Sequence, residues 1–353
     1  MKTDRILIIR FSAMGDVAMT VPVVSALAHQ YPALRITVLS RPFARVFFEG
    51  LAPNVGFTGA DLKGEYHGIK GLNALYRRLI AKNFTAIADF HAILRSSYLR
   101  MRFNIARFRV AHINKHRAER RALTAQGSKK RLQPIPTSFE AYADVLAELG
   151  YPIKPEFTSI FTDTDGSLFA TVAHLIGDRP EGQKWIGIAP FAAHQGKVYP
   201  VKKMEQVINL LTQQMPQCRI FLFGGGKDEQ AVFEQWQQRY PACTNASAIM
   251  GGLHGELVLM SRLDVMLSMD SANMHLASLV GTKVVSIWGA THPYAGFMGW
   301  NQSIDNAVQV DLPCRPCSIY GNKPCTQGNY PCMNNILPQQ VVEKIINVIH
   351  HNS

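Results

Sequence analysis

The chain has 353 residues, 47% of them hydrophobic, and carries 37 Lys+Arg against 25 Asp+Glu for a net charge of +12. That length exceeds one ordinary core and predicts two α/β domains, while the apolar content excludes a disordered chain. The positive excess favours acidic partners such as phosphates, nucleic acid or an anionic membrane face.

No apolar run approaches the roughly 18 residues that a membrane span needs. The charged start Met1-Lys2-Thr3-Asp4-Arg5 is expected to lead into a strand and not a signal peptide, which predicts a cytoplasmic protein. Arg5 to Arg10 reads as that strand, and Phe11-Ser12-Ala13-Met14-Gly15-Asp16 as a tight loop before a helix over 17–29. Asp16 has the position of an N-cap or first-turn acid. In a cleft at a strand's carboxyl end it is equally a candidate general base. The absence of G-x-G-x-x-G after the strand counts against a dinucleotide-binding start. Further strands are predicted at 35–39, 55–58 and 86–90, with helices at 42–48, 72–82 and 91–102. His91 and Arg95 open the last of these and are candidates to face a cleft.

From Arg95 to Arg131 the chain carries twelve Lys or Arg and one acid, Glu119. With Tyr98, Phe103 and Phe108 interleaved, this run is expected to lie against lipid headgroups or a phosphorylated glycan. A solvated basic loop is the plainer alternative. Nucleic acid would satisfy the charge, yet no helix-turn-helix, zinc-finger, RRM or KH signature accompanies it.

A helix over 138–149 and the polar stretch 162–166 place the domain change near residue 165. A second series of βα units follows, with strands at 185–190, 219–223, 264–269 and 284–289. Lys197 hangs from the loop after the first of these, where an ammonium suits a diphosphate leaving group. Gly224-Gly225-Gly226-Lys227 lacks P-loop spacing. After the strand ending at Met269, Asp270, Ser271 and Ala272 open a helix that carries His275. Thr291 follows the next strand onto the same edge. Helix N-termini at the carboxyl ends of parallel strands are phosphate sites, so the reaction is placed here. An N-cap with a half-buried histidine is the plain alternative.

Cys314, Cys317, Cys325 and Cys332 crowd the C-terminal region with gaps too irregular for a zinc ribbon. Reduced thiols packing a loop are favoured over a structural zinc. A final helix, 337–353, is expected to cross back onto the first domain.

Phe11-Ser12-Ala13-Met14-Gly15-Asp16, Lys197-Val198-Tyr199-Pro200, Met269 to Ala277, and Trp288 to Pro293 together resemble the ADP-heptose:lipopolysaccharide heptosyltransferase family, glycosyltransferase family 9. The cysteine-bearing segment 313–333 is similar to that of its second-heptose branch. The resemblance implies an α/β protein of GT-B fold, two Rossmann-like domains with a cleft between them: an acceptor-binding domain at 1–165 and a nucleotide-sugar-binding domain at 166–336. It implies inverting, metal-independent transfer of heptose from ADP-heptose to the lipopolysaccharide inner core, with no cofactor, at the inner face of the inner membrane. By position, Asp16 becomes the base and Lys197 the leaving-group partner. Glu256, Asp270, Ser271, Ala272, His275 and Thr291 join Lys197 at the donor. Ser12, Met14, His91, Arg95, Arg120 and Arg121 are assigned to an anionic glycolipid acceptor. The family commonly has glycine where Ala272 stands and tryptophan where Tyr199 stands. Two other readings remain: transfer of a different nucleotide sugar to a surface glycan, and a noncatalytic basic protein binding membrane or nucleic acid.

Overall fold

A computed structural model of the chain describes residues 4–161 and 166–351. Residues 162–165, at which the sequence places the domain change, and the chain ends 1–3 and 352–353 lie outside the described residues. The chain forms two compact units, residues 1–115 with 136–160, and 116–135 with 161–353.

Among the described residues the first unit holds β1 (Arg5–Ile9), β2 (Arg35–Ser40), β3 (Val55–Gly59), β4 (Ala86–Asp89) and β5 (Arg109–His112), all parallel in the order β3-β2-β1-β4-β5. β1 is central and buried from Ile6 to Ile9, which matches an apolar run covered on both faces. The stretch read as one helix over 17–29 is broken into Met14–Ala18 and Val21–Gln30, with Pro22 in the first turn of the second piece. Helix Ser138–Glu148 starts at a capping box, in which Thr137 Oγ1 accepts from Glu140 N–H at 3.2 Å and Glu140 Oε2 accepts from Thr137 N–H at 2.7 Å.

The second unit holds β6 (Trp185–Ala189), β7 (Arg219–Leu222), β8 (Cys243–Asn245), β9 (Val265–Met269), β10 (Val284–Ile287) and β11 (Ala307–Val308), parallel in the order β11-β10-β9-β6-β7-β8. Helix Pro338–His351 packs here, where the sequence expects a return to the first domain. Val341, Val342, Ile345, Val348 and Ile349 form its buried stripe, in one cluster with Met204, Val207, Ile208 and Leu211 of helix Val201–Gln214. That apolar face is consumed within its own unit.

The basic run divides as well. Helix Leu94–Ile105 and β5 belong to the first unit, whereas helix Arg117–Leu123 belongs to the second. Phe103 is fully buried, with its ring 5.0 Å from Tyr76 and 5.2 Å from Phe108, so these aromatics face the core and not a lipid layer. The cause is helical period: Ser96, Leu99 and Phe103 share the face that packs inward.

Candidate functional site

In the first unit the loop after β1 meets the loop after its neighbour β4. Arg10 directly follows β1 and is itself buried; it donates to Phe90 O at 2.8 Å and pairs with Asp16 Oδ2 at 2.8 Å. The same Oδ2 accepts from Ala13 N–H at 2.9 Å, so the carboxylate is fixed from two sides. Phe11 N–H donates to His91 Nδ1 at 3.3 Å, which leaves the ring proton on Nε2. Burial, followed by the charge of Arg10, lowers His91 to about 3, so it is neutral at physiological pH. The geometry therefore gathers Ser12, Met14, Asp16 and His91 on one edge. Arg95 lies apart, exposed on helix Leu94–Ile105.

Arg120 and Arg121 sit in the second unit. Arg120 donates to Tyr320 Oη at 2.8 Å and lies 5.0 Å from the Phe297 ring, so its guanidinium is engaged within that unit. Arg121 is exposed.

Lys197, Asp270, Ser271, Ala272, His275 and Thr291 lie in the segments that follow β6, β9 and β10, three adjacent strands, whereas Glu256 lies on the helix that precedes β9. Lys197 Nζ lies 2.9 Å from Asp270 Oδ2, an ion pair. Ser271 caps helix Ala272–Leu279 by position and exchanges a 3.2 Å hydrogen bond with Ser268. Its side chain makes no cap bond, so the first amides of that helix are not satisfied by it. Ala272 is the first helical residue, and His275 is buried one turn on. Thr291 is fully buried, and its Oγ1 has no hydrogen-bond partner among the described residues. Glu256, in the first turn of helix Leu253–Met260, is half-buried, and burial raises its carboxyl above the ordinary range.

Two further residues hold this edge, and neither is among those assigned from the sequence. Arg315 is buried; it donates to Gly289 O at 2.5 Å, Trp288 O and Thr291 O at 3.1 Å, Gln309 Oε1 at 3.0 Å, and Val310 O. One guanidinium thus ties the loop leaving β10 from several directions. Ala290 N–H donates to Gly196 O at 2.8 Å, and Cys317 and Ser318 N–H both reach Ala290 O. Gly321 then packs on Lys197. A Cβ added there would lie 2.6 Å from Lys197 Cγ. The visible clue in the sequence is an arginine inside an otherwise apolar Cys-Arg-Pro-Cys.

Among the described residues no group of three or more His, Cys, Asp or Glu side chains is placed to hold a metal ion. Cys332 is buried in the apolar cluster, and burial raises it to about 11, as for a packed thiol.

Two Rossmann-like parallel sheets of this kind define the GT-B class. The chain superposes over 99% of its length, and 99% of the other chain, on a family 9 glycosyl transferase from Veillonella parvula, with a TM-score of 0.72 at 18% identity. Residues 72–329 match glycosyltransferase family 9 (heptosyltransferase), and the chain belongs to that family. It is 23% identical over 310 residues to the lipopolysaccharide core heptosyltransferase OpsX of Haemophilus influenzae, covering 86% of this chain and 83% of that protein. It is also 26% identical over 139 residues to lipooligosaccharide heptosyltransferase 2 of Campylobacter jejuni, spanning 38% of this chain and 41% of that protein.

Proposed function

We propose that this protein transfers a heptose from ADP-heptose to the inner core of lipopolysaccharide by a single inverting displacement without a metal ion, at the cytoplasmic face of the inner membrane. The observation that carries the reading is the Lys197–Asp270 pair at the start of helix Ala272–Leu279. A cation and a helix N-terminus at one strand edge favour a diphosphate that gains charge as it leaves.

In this reading an acceptor hydroxyl attacks the anomeric carbon and passes its proton to Asp16. The bond from that carbon to the diphosphate oxygen breaks, and its electron pair leaves with ADP. Asp270 orients Lys197 toward the departing charge. Thr291, with an unmet buried hydroxyl, and Glu256, with its raised carboxyl, serve the donor. Ser12, Met14 and neutral His91 serve the acceptor, and Arg95 and Arg121 offer exposed charge to its phosphates. Arg120 is held by Tyr320 and Phe297, which supports a positioning role for it instead.

The test combines ligand-dependent unfolding with product analysis. ADP at 100 times its dissociation constant is expected to stabilise the protein by about 2.7 kcal/mol. UDP and GDP should do less. Asp16→Asn should keep that stabilisation and abolish transfer, whereas Lys197→Ala should lose both. The anomeric configuration of the product reports inversion, and chelator-insensitive turnover reports metal independence. Preference for UDP or GDP would replace the donor, and stabilisation by no nucleotide would remove the transferase reading.

A further inference from the structure

Helix Leu94–Ile105 is built with two opposed faces. Ser96, Leu99 and Phe103 are buried, whereas Leu94 is 88% exposed, Met101 47% and Ile105 71%. At 100° per residue Leu94, Met101 and Ile105 fall within about 40° of one another, directly opposite the buried face. Three large apolar side chains therefore form a stripe in water along three turns. Scattered exposed apolar residues are ordinary; an aligned stripe opposite the core is not.

The neighbouring helix Gly68–Ile80, joined to this one through Asn73, adds one exposed apolar residue. Asn73 Oδ1 accepts from Tyr98 Oη at 2.8 Å and from Arg102, and Ile69, 67% exposed, lies one turn before Asn73 on the same face. Basic side chains outnumber acids around it, although Arg100 pairs with buried Asp89 and Glu65 lies beside Arg78. Arg95 and Arg107 are exposed, Arg102 flanks the stripe, and Lys70, Arg77 and Arg78 occupy the second helix. From Phe90 to Ala118 the chain contains no Asp or Glu. An apolar stripe bordered by arginines is the composition of a helix that lies in the headgroup layer of an anionic bilayer. Long arginine stems reach past an inserted stripe to phosphates at its edge.

We propose that Leu94, Met101, Ile105 and Ile69 form a docking surface for an anionic phospholipid bilayer, entering the headgroup boundary while Arg95 and Arg107 meet lipid phosphates. The inference deepens the membrane part of the proposed function and assigns it to one face of the first unit. It differs from the arrangement the sequence suggests, because the aromatics of the basic run are spent on the core and the aliphatic side chains of the same helix are not.

The test uses the full chain and flotation with vesicles of phosphatidylglycerol and phosphatidylethanolamine, against vesicles of phosphatidylcholine alone. The expected result is binding to the anionic vesicles, at least tenfold weaker to phosphatidylcholine, and reduced at least tenfold by Leu94→Glu with Ile105→Glu. Both sites are exposed, so the variant should unfold at the wild-type temperature and keep the same stabilisation by ADP. Equal vesicle binding by the variant and the wild type would overturn the surface, as would no binding by the folded wild type. Self-association abolished by the same variant, without vesicle binding, would instead make the stripe a contact between copies and also overturn the proposal. Because vesicle binding is read without donor or acceptor, its failure with ADP stabilisation intact removes only this surface. Loss of ADP stabilisation with vesicle binding intact removes only the donor reading.

Discussion

Gly321 faces the aliphatic stem of Lys197 so closely that a Cβ at residue 321 would lie 2.6 Å from Lys197 Cγ, and its backbone has φ +74°. Two independent constraints therefore favour glycine. Alanine in this left-handed conformation costs about 1 kcal/mol, and the lysine stem must also move aside. Gly321→Ala is expected to fold with a modest loss of stability and to weaken ADP binding at least tenfold, because the ammonium leaves its 2.9 Å contact with Asp270. Titration calorimetry on the variant checks this. Undiminished ADP affinity would mean that the 317–321 loop does not set the position of Lys197.

The Lys197–Asp270 pair is asymmetric in burial, with side-chain exposures of 15% and 3%. Removing the lysine strands a buried carboxylate, for which about 3 kcal/mol of destabilisation is typical. Lys197→Ala is thus expected to lower the unfolding midpoint strongly even without ligand. Asp270→Asn, which removes the charge but keeps the shape, should be milder. Denaturant melts of the two variants give the order, and the reverse order would show that the lysine is not what compensates Asp270.

Much of this architecture is legible in the chain because parallel strands covered on both faces read as apolar runs, as Ile6–Ile9 and Val265–Met269 do. The strands that escape, β5, β8 and β11, all lie at sheet edges and are short. β5 carries Arg109 and His112 on exposed positions, so neither period nor composition marks it. Asp270 and Ser271 are legible because they follow a strand directly, and Lys197 because it hangs from the loop after one. Arg315 and Gly321 are not, since their partners Thr291 and Lys197 are distant in sequence and no local pattern encodes the contact. The final helix is found by its period, but period alone does not say which unit receives its apolar face.

Arg315 gives a third prediction. Its donors reach the carbonyls of Trp288, Gly289, Val310 and Thr291, and burial lowers its pKa from the usual arginine value. A lysine offers a point charge with three rotatable donors and cannot reproduce a planar fork. Arg315→Lys should therefore destabilise nearly as much as Arg315→Met, by about 3 kcal/mol or more. If the lysine variant melts with the wild type, the loop after β10 is not held by the guanidinium geometry. In the proposed reaction the same variant, assayed where it remains folded, should raise KM for the donor more than it lowers kcat, as expected of a positioning residue.

The buried histidines set the acid limit of the fold. His91 is lowered to about 3 by burial and Arg10, and His292 to about 4 by burial and Arg315. His292 Nδ1 accepts from Tyr294 N–H at 3.1 Å, and His91 Nδ1 accepts from Phe11, so both rings are held in neutral form. An unfolded chain protonates each near pH 6.5. Below that pH the unfolded state binds protons that the folded state does not, so their contribution is complete above about 6.5 and declines as pH falls toward 4 and then 3. Each contributes a slope of about 1.4 kcal/mol per pH unit inside its window. Glu256, raised by burial, binds its proton earlier when folded and opposes part of that slope. Urea midpoints between pH 8 and 5 should therefore fall toward acid. His91→Gln with His292→Gln should flatten the profile, and Glu256→Gln should steepen it. A double histidine variant with the wild-type slope would show that these rings are not held neutral in the folded protein.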